Sequence, residues 1–461
     1  MDKMFLIISL VLYALAPSQF SQPYCWFLFL LFIANVVYVY VRDVRNEKIG
    51  FNLLFSLAFF LVSYLYPIFI YPFFPNFQIL SIPLFNYDVV TQGTALANIA
   101  YACYGVGYIY ILNRDTSETE QPTRKNSFDK LPEILTSKQL NTLLLISVVV
   151  FVMFVLSGGL TFFAKAYQEG EDGGAGGATG FIWVFFQTFC LLLLLANLRS
   201  NSAIVYIAII IFIILLLKVG TRTLPLNLMV PFFCYYCAKK DLSFTKIAII
   251  GSVAAALFAF VGIARSGGTA MDAAGGDEIA ERFRSLIDFI IPNRDLYAIY
   301  DHTQEDGITY GISSMSYILA VVPFSQSIFM ALTGIPEYML RSERMTSFWE
   351  FGDDPNVWGL GTNIIGDVYL SFGLIGLIAL FTFLGYIVAE SRRKMWNGSW
   401  VGYIIYFVLV SNSVFMCRGA FFYSLKNIVW SLVFIYLIRC LYQEATYDKE
   451  NDKITYNTKN Q

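Results

Sequence analysis

Three arginines, Arg222, Arg265 and Arg418, each stand where a long apolar run gives way to polar sequence. A guanidinium fork in such a place can grip a diphosphate bidentately and offset its charge. The plainer use of such a residue is snorkelling, with its stem along apolar surface and its charged head in water. A second constellation lies in Gly361-Thr-Asn363-Ile-Ile-Gly366-Asp367-Val-Tyr369-Leu-Ser371-Phe372-Gly373-Leu-Ile-Gly376. Asn363, Asp367 and Ser371 recur there at every fourth residue and so share one helical face. An ionisable residue inside an apolar run is costly and usually faces a polar cavity or a partner. For Asp367 the plain alternative is a structural pairing with one of the arginines. Gly366, Gly373 and Gly376 permit close helix contact and carry no chemistry. His302 is the only histidine; its unperturbed pKa of about 6.5 suits proton removal near neutrality, although a lone loop histidine is commonly idle. The chain has no HExxH, no His/Cys cluster and no DxD, so neither a metal nor another cofactor is expected.

These groups are positioned by apolar helices. Apolar residues make up 57% of the chain and charged residues 14%, where a soluble domain shows roughly 25% charged. Twelve runs approach the ~20 residues needed to cross a bilayer. They are 4–18, 23–41, 50–70, 92–112, 141–157, 180–198, 203–219, 223–238, 246–264, 361–387, 398–416 and 427–443. The first and the eighth are the weakest. The pattern predicts an all-α integral membrane protein with about twelve transmembrane helices and one large extracytoplasmic loop containing amphipathic helices. It divides the chain into helices one to nine over 1–264, the loop over 265–360, helices ten to twelve over 361–443, and a tail over 444–461. Ala14-Leu15-Ala16 resembles a signal-peptidase site, but the basic n-region is thin and another span follows at once, which favours a retained first helix.

Lysines and arginines in the short loops fix the expected orientation. Arg42, Arg45 and Lys48 follow span two; Arg114, Arg124, Lys125, Lys130 and Lys138 follow span four. Arg199, then Lys239, Lys240 and Lys246, then Arg392, Arg393 and Lys394 follow spans six, eight and ten. All fall on one side when both termini are cytoplasmic. Arg222, Arg265 and Arg418 then lie at the opposite, outer face, where the rule leaves few cations.

The long loop is itself patterned. Apolar residues at 279, 283, 286 and 290 give one helical face, suited to the membrane surface or to packing on the rest of the loop. Tyr317–Phe324 and Ile328–Leu332 form a second apolar region broken by Pro323, read as interfacial or re-entrant, because a thirteenth span would put Arg392, Arg393 and Lys394 outside. The glycine-rich stretch after Glu169 lacks Gly-Lys-Ser/Thr and reads as a connector or a flexible lid. The seven cysteines are scattered, and Cys234-Tyr-Tyr-Cys237 sits in an apolar run where packing is the better reading. Cys25 and Cys417 fall near one face and could pair if adjacent.

The 359–376 segment resembles the stretch after the large outer loop in Wzy-type O-antigen polymerases, where the pattern runs roughly Gly…Gly-Glu-x-Tyr-x-x-Phe-Gly-x-x-Gly. Asp367 stands where that pattern has Glu, which shortens the carboxylate's reach. Gly220-Thr221-Arg222, Gly307-Ile308-Thr309-Tyr310-Gly311 and Arg418-Gly419 also look like that family. The resemblance implies a GT-C-like, metal-independent membrane glycosyltransferase that polymerises undecaprenyl-diphosphate-linked oligosaccharides on the periplasmic face of the bacterial inner membrane. It implies Arg222, Arg265 and Arg418 at the leaving diphosphate, with Arg294, Arg282 and Arg284 behind them. His302 or Asp367 would be the base, and Asn363 and Tyr369 would support the site. It also implies membrane lipids, a Wzz-type chain-length regulator and a flippase as partners, and no nucleic acid. An O-antigen ligase transferring glycan to the lipid A core is the near alternative. A lipid-linked oligosaccharide flippase is the alternative from another class, disfavoured by the scarcity of mid-span charges.

Overall fold

The computed structural model describes residues 2–43, 49–74, 86–115, 131–159, 178–219, 223–240, 242–243, 245–247, 249–251, 287–352 and 361–459. Among them every regular element is helical. Among the described residues, seven helices are long and apolar enough to cross a membrane: Gln22–Arg42, Tyr87–Arg114, Ser137–Leu156, Thr179–Ser200, Ile364–Trp396, Trp400–Cys417 and Phe421–Tyr442. Lys3–Ala14, Phe51–Ser63 and Ala203–Leu215 are shorter apolar helices. The chain is therefore a multi-pass, all-α membrane protein. The ninth expected span lies mostly outside the described residues.

The helices that position the site are α1 (Asp2–Ala14), α2 (Gln22–Arg42), α3 (Phe51–Ser63), α4 (Val90–Asp115), α5 (Ser137–Leu156), α6 (Ala178–Ser200), α7 (Ala203–Val219) and α8 (Thr223–Lys240). They continue with α9 (Ile287–Asp306), α10 (Met315–Leu319), α11 (Ser325–Thr333), α12 (Ser342–Phe351), α13 (Ile364–Trp396), α14 (Trp400–Cys417) and α15 (Leu425–Lys459). Local signals set several ends. Thr136 and Gln139 form a reciprocal capping box at α5. Pro67 cannot donate to the ladder, and α3 stops at Ser63, before a wider π turn over Tyr66–Ile70. Two carbonyls of the last turn of α3 find partners elsewhere: Leu61 accepts from Asn293 Nδ2 and Val62 from Asn363 Nδ2, each at 2.8 Å.

Helix α4 runs through the centre and makes its broadest contact with α13. Glycines permit that approach. A Cβ on Gly107 would collide with the Thr382 carbonyl oxygen, and one on Gly385 with the Tyr104 carbonyl oxygen. Because the obstacle on each side is backbone, the helices themselves would have to separate. Gly107→Val is expected to cost about 3 kcal/mol and to lower the melting temperature of the detergent-solubilised protein; an unchanged melt would refute the contact.

Helix α13 is broken. Gly373 takes φ 64° and ψ −161°, a conformation that strains any residue with a Cβ. The break releases carbonyls that would otherwise pair within the helix, and the segment after α9 takes them up. Thr309 N donates to the Leu370 carbonyl and Gly311 N to the Ser371 carbonyl, both at 2.8 Å. Gly311 has φ 89°, and a Cβ there would come 2.9 Å from the Phe372 ring. Ser313 and Ser314 each place a hydroxyl 2.7 Å from that of Ser371. The Gly307–Gly311 motif thus folds against the broken helix.

Several expectations change at this point. Gly366 does make a close contact, with Ile299 2.9 Å from its Cβ direction, whereas Gly373 is a break. The amphipathic stretch expected over 279–291 lies mostly outside the described residues, and the described helix runs from Ile287 through Pro292 to Asp306. The apolar region after Tyr317 forms two short helices, α10 and α11, around a turn at Phe324. The tail continues α15 to Lys459. None of the seven cysteines forms a disulfide; Cys25 lies beside Thr91, and Cys417 donates to the Phe55 carbonyl.

Candidate functional site

Two groups of polar side chains form at the two ends of α12, a ten-residue helix and so about 15 Å long. At its start, Ser342 Oγ donates to Asp367 Oδ1 at 2.7 Å, while Phe421 N donates to Asp367 Oδ2 at 3.0 Å. Asp367 is fully buried. Its carboxylate therefore ties α12 to the turn that follows α14, the turn that begins with Arg418.

Around that tie the structure gathers cations. Arg341 Nε donates to Ser316 Oγ at 2.8 Å, and its Nη1 lies 3.6 Å from Glu343 Oε1. Tyr317 OH donates to Glu343 Oε2 at 2.6 Å. The side chains of Arg341 and Glu343 remain 32% and 24% exposed, so both can meet a ligand. Lys426 lies within electrostatic reach of Arg341 and Glu343, and the Tyr423 hydroxyl lies between the fields of Glu343 and Arg418. Arg341 and Lys426 thus lie near the accessible Glu343 carboxylate and Arg418 lies near Tyr423, while Asp367 is buried. Such a half-buried positive site strengthens attraction for a multiply charged anion, because little water screens it. Burial pushes the Tyr317 hydroxyl well up, and the neighbouring Glu343 carboxylate adds to the effect; Tyr317 stays a donor at neutral pH.

The other end of α12 holds Trp349 and Glu350. Glu350 Oε1 accepts from Arg294 Nη2 at 2.8 Å in a buried ion pair. Asp295, next along α9, is fully buried, and neither of its oxygens has a hydrogen-bond partner. Burial raises the Asp295 carboxyl well above the usual carboxylate range; Arg294 opposes this and Glu350 adds to it. Between the ordinary carboxyl pKa of about 4 and that raised value, the folded protein holds a proton that the unfolded chain has released. Its stability therefore falls as pH rises through that window. Asp295→Asn cannot titrate and is expected to melt above the parent by a margin that widens from pH 5 to pH 8. An equal margin at both values would contradict a protonated Asp295.

The residues singled out from sequence distribute as follows. Arg418 is partly buried in the cationic group, beside the turn that Asp367 holds. Arg294 is buried in the second group. His302, on α9, stacks on Trp349 with ring centroids 4.2 Å apart and sets Nδ1 3.9 Å from Asp306 Oδ2. His302 and Asp367 thus belong to opposite ends of α12. Asn363 caps α13 through Ile365 N while bonding the Val62 carbonyl. Tyr369 stacks on Tyr300 and accepts from Gln304 Nε2 at 3.3 Å. Arg222, Arg265, Arg282 and Arg284 lie outside the described residues.

Sequence reasoning missed Arg341, Glu343, Lys426 and the Asp295 carboxyl. Lys426 carried the same signal as Arg418, a cation at the end of an apolar run on the sparsely basic side. Arg341 and Glu343 stood in an ordinary-looking charged cluster and gained meaning only through contact with Ser316, Tyr317 and α15.

The comparisons with known proteins bear on the whole chain. No curated protein and no solved structure matches it. The family model for the O-antigen polysaccharide polymerase Wzy matches residues 3–450, nearly the full length. The chain belongs to the O-antigen polysaccharide polymerase Wzy family.

Proposed function

We propose that the protein elongates a surface polysaccharide by transferring a growing glycan from undecaprenyl diphosphate onto a hydroxyl of another lipid-linked repeat unit. The observation that carries this reading is the gathering of Arg341, Arg418 and Lys426 in the region of Glu343 and Tyr423, where apolar helices end. In the reaction the bond from the sugar's anomeric carbon to the diphosphate oxygen breaks, and a bond to the acceptor oxygen forms. The diphosphate departs on its polyprenyl chain with an added negative charge. Fixed cations at that position stabilise it, and we add Arg222 and Arg265 to that set on their places in the sequence alone. With that charge met by side chains, the transfer is metal-independent and uses no cofactor.

The acceptor hydroxyl must surrender its proton to a base. Glu343 is the carboxylate facing the cations, while His302 is the accessible base at the other end of α12. Asp367 has both oxygens engaged and acts as a positioning residue, with Asn363 and Tyr369 supporting α13. Arg294 holds the end of α12 through Glu350.

In this reading about twelve helices cross the bacterial inner membrane, both termini are cytoplasmic, and residues 265–360 form the periplasmic loop. A flippase supplies the lipid-linked units, and a Wzz-type regulator sets chain length. A deletion strain tests the reading through its lipopolysaccharide profile. Core plus one repeat is expected, with a ladder restored by the parent gene and not by Arg222→Ala. Glu343→Gln and His302→Gln in the same strain identify the base. Bare core in the deletion would mean a ligase or a flippase, and an unchanged ladder would overturn the assignment.

A further inference from the structure

A separate cavity of about 500 Å³ lies between α7 and α8, within the ~300–1,000 Å³ range of small-molecule sites. Its depth is apolar, with Ile209, Ile213, Leu228 and Met229 on the walls. Its polar residues collect at one end for a topological reason. Helices α7 and α8 are consecutive, so the start of α7, with Asn201 and Tyr206, lies beside the end of α8, with Lys239 and Lys240. Tyr206 OH donates to Asn201 Oδ1 at 3.4 Å, and Lys239 Nζ sits 5.4 Å from the centre of the Tyr235 ring. Both lysines are exposed, and no described acid pairs with either. An apolar slot capped by two adjacent ammonium groups complements a molecule with a long hydrocarbon tail and an anionic head. Basic pockets of this kind, between membrane helices on the cytoplasmic side, recognise anionic lipid headgroups.

We propose that this cavity binds an anionic phospholipid of the basic-side leaflet, its acyl chain against Ile213 and Met229 and its headgroup phosphate on Lys239 and Lys240. In the orientation given above that leaflet is cytoplasmic, which sets this site apart from the diphosphate site at the α12 end. Phe232 bridges the two regions, edge-on to Tyr206 at 6.1 Å and stacked near Tyr236 at 6.4 Å, and separates the headgroup level from the tail slot.

Native mass spectrometry of the full-length protein, stripped of lipid and titrated with phosphatidylglycerol or phosphatidylethanolamine of identical chains, tests this. The parent is expected to retain several-fold more phosphatidylglycerol. The double variant Lys239→Gln/Lys240→Gln should lose that preference while keeping its melting temperature, and Ile213→Trp should lower retention of both lipids by filling the slot. Equal retention of the two lipids by the parent overturns the proposal, whether residues 252–264, a second copy or a polyprenyl lipid fills the cavity instead. A preference that survives the double substitution overturns it equally.

Discussion

Arg418→Ala is expected to lower polymer yield by about 100-fold or more, the scale for removing one preorganised charge-stabilising donor, while the protein inserts and accumulates normally. Arg418 follows the last turn of α14 and shares the Tyr423 region with Glu343. Its removal leaves the main-chain tie from Phe421 N to Asp367 in place. The fold should therefore persist while one of three cations is lost. Arg418→Lys keeps the charge but not the planar fork, and should recover only part of the activity. The measurement is ladder length and intensity per amount of membrane-inserted protein. A parental ladder from Arg418→Ala would remove Arg418 from the proposed diphosphate site.

The second large effect lies at the other end of the bundle. Asp43, the residue after α2, accepts from Arg392 Nη1 on α13 at 2.5 Å, from Tyr108 OH on α4 at 2.8 Å, and from Asn52 Nδ2 on α3 at 3.4 Å. Tyr108 OH also accepts from Arg392 Nη1 at 2.7 Å. The Asp43 and Arg392 side chains are only 7% and 8% exposed. Arg392→Ala strands a buried carboxylate among four helices, and breaking such a pair costs about 3–5 kcal/mol. The variant should melt far below the parent and fall in abundance. Asp43→Asn/Arg392→Leu, which removes both charges, should recover most of the loss. If the double variant melts as low as the single one, the penalty comes from packing and not from the stranded charge.

Arg392 also shows where the sequence is informative and where it stops. As one of a run of loop cations it served to orient the chain, and nothing local distinguished it from Arg393, which pairs with Glu390 one turn away. Run length and apolarity sufficed to find the seven described helices that are long and apolar enough to cross a membrane, because those properties are local. Charge at an unexpected depth was what drew attention to Asp367 and Arg418. What stayed hidden depends on contacts between distant parts of the chain. Ser342 and Phe421 meet Asp367 across 25 and 54 residues. The serines that pack around Ser371 looked like ordinary loop residues. Gly373 was noticed for its small size, yet its role is a left-handed backbone angle, and composition carries no sign of that. Asp295 passed unremarked because its charge sits beside Arg294, and only burial distinguishes it from a solvated pair.

The break in α13 bears on how this protein can be rebuilt. Residues 307–314 hold the Leu370 and Ser371 carbonyls and the Ser371 hydroxyl, so this segment and the broken helix complete one another. Residues 287–352 are therefore not an interchangeable cassette. A chimera that imports another polymerase's loop by itself would leave those carbonyls orphaned. One that imports the loop together with residues 361–376 brings its own hydrogen-bond partners and keeps the junction whole.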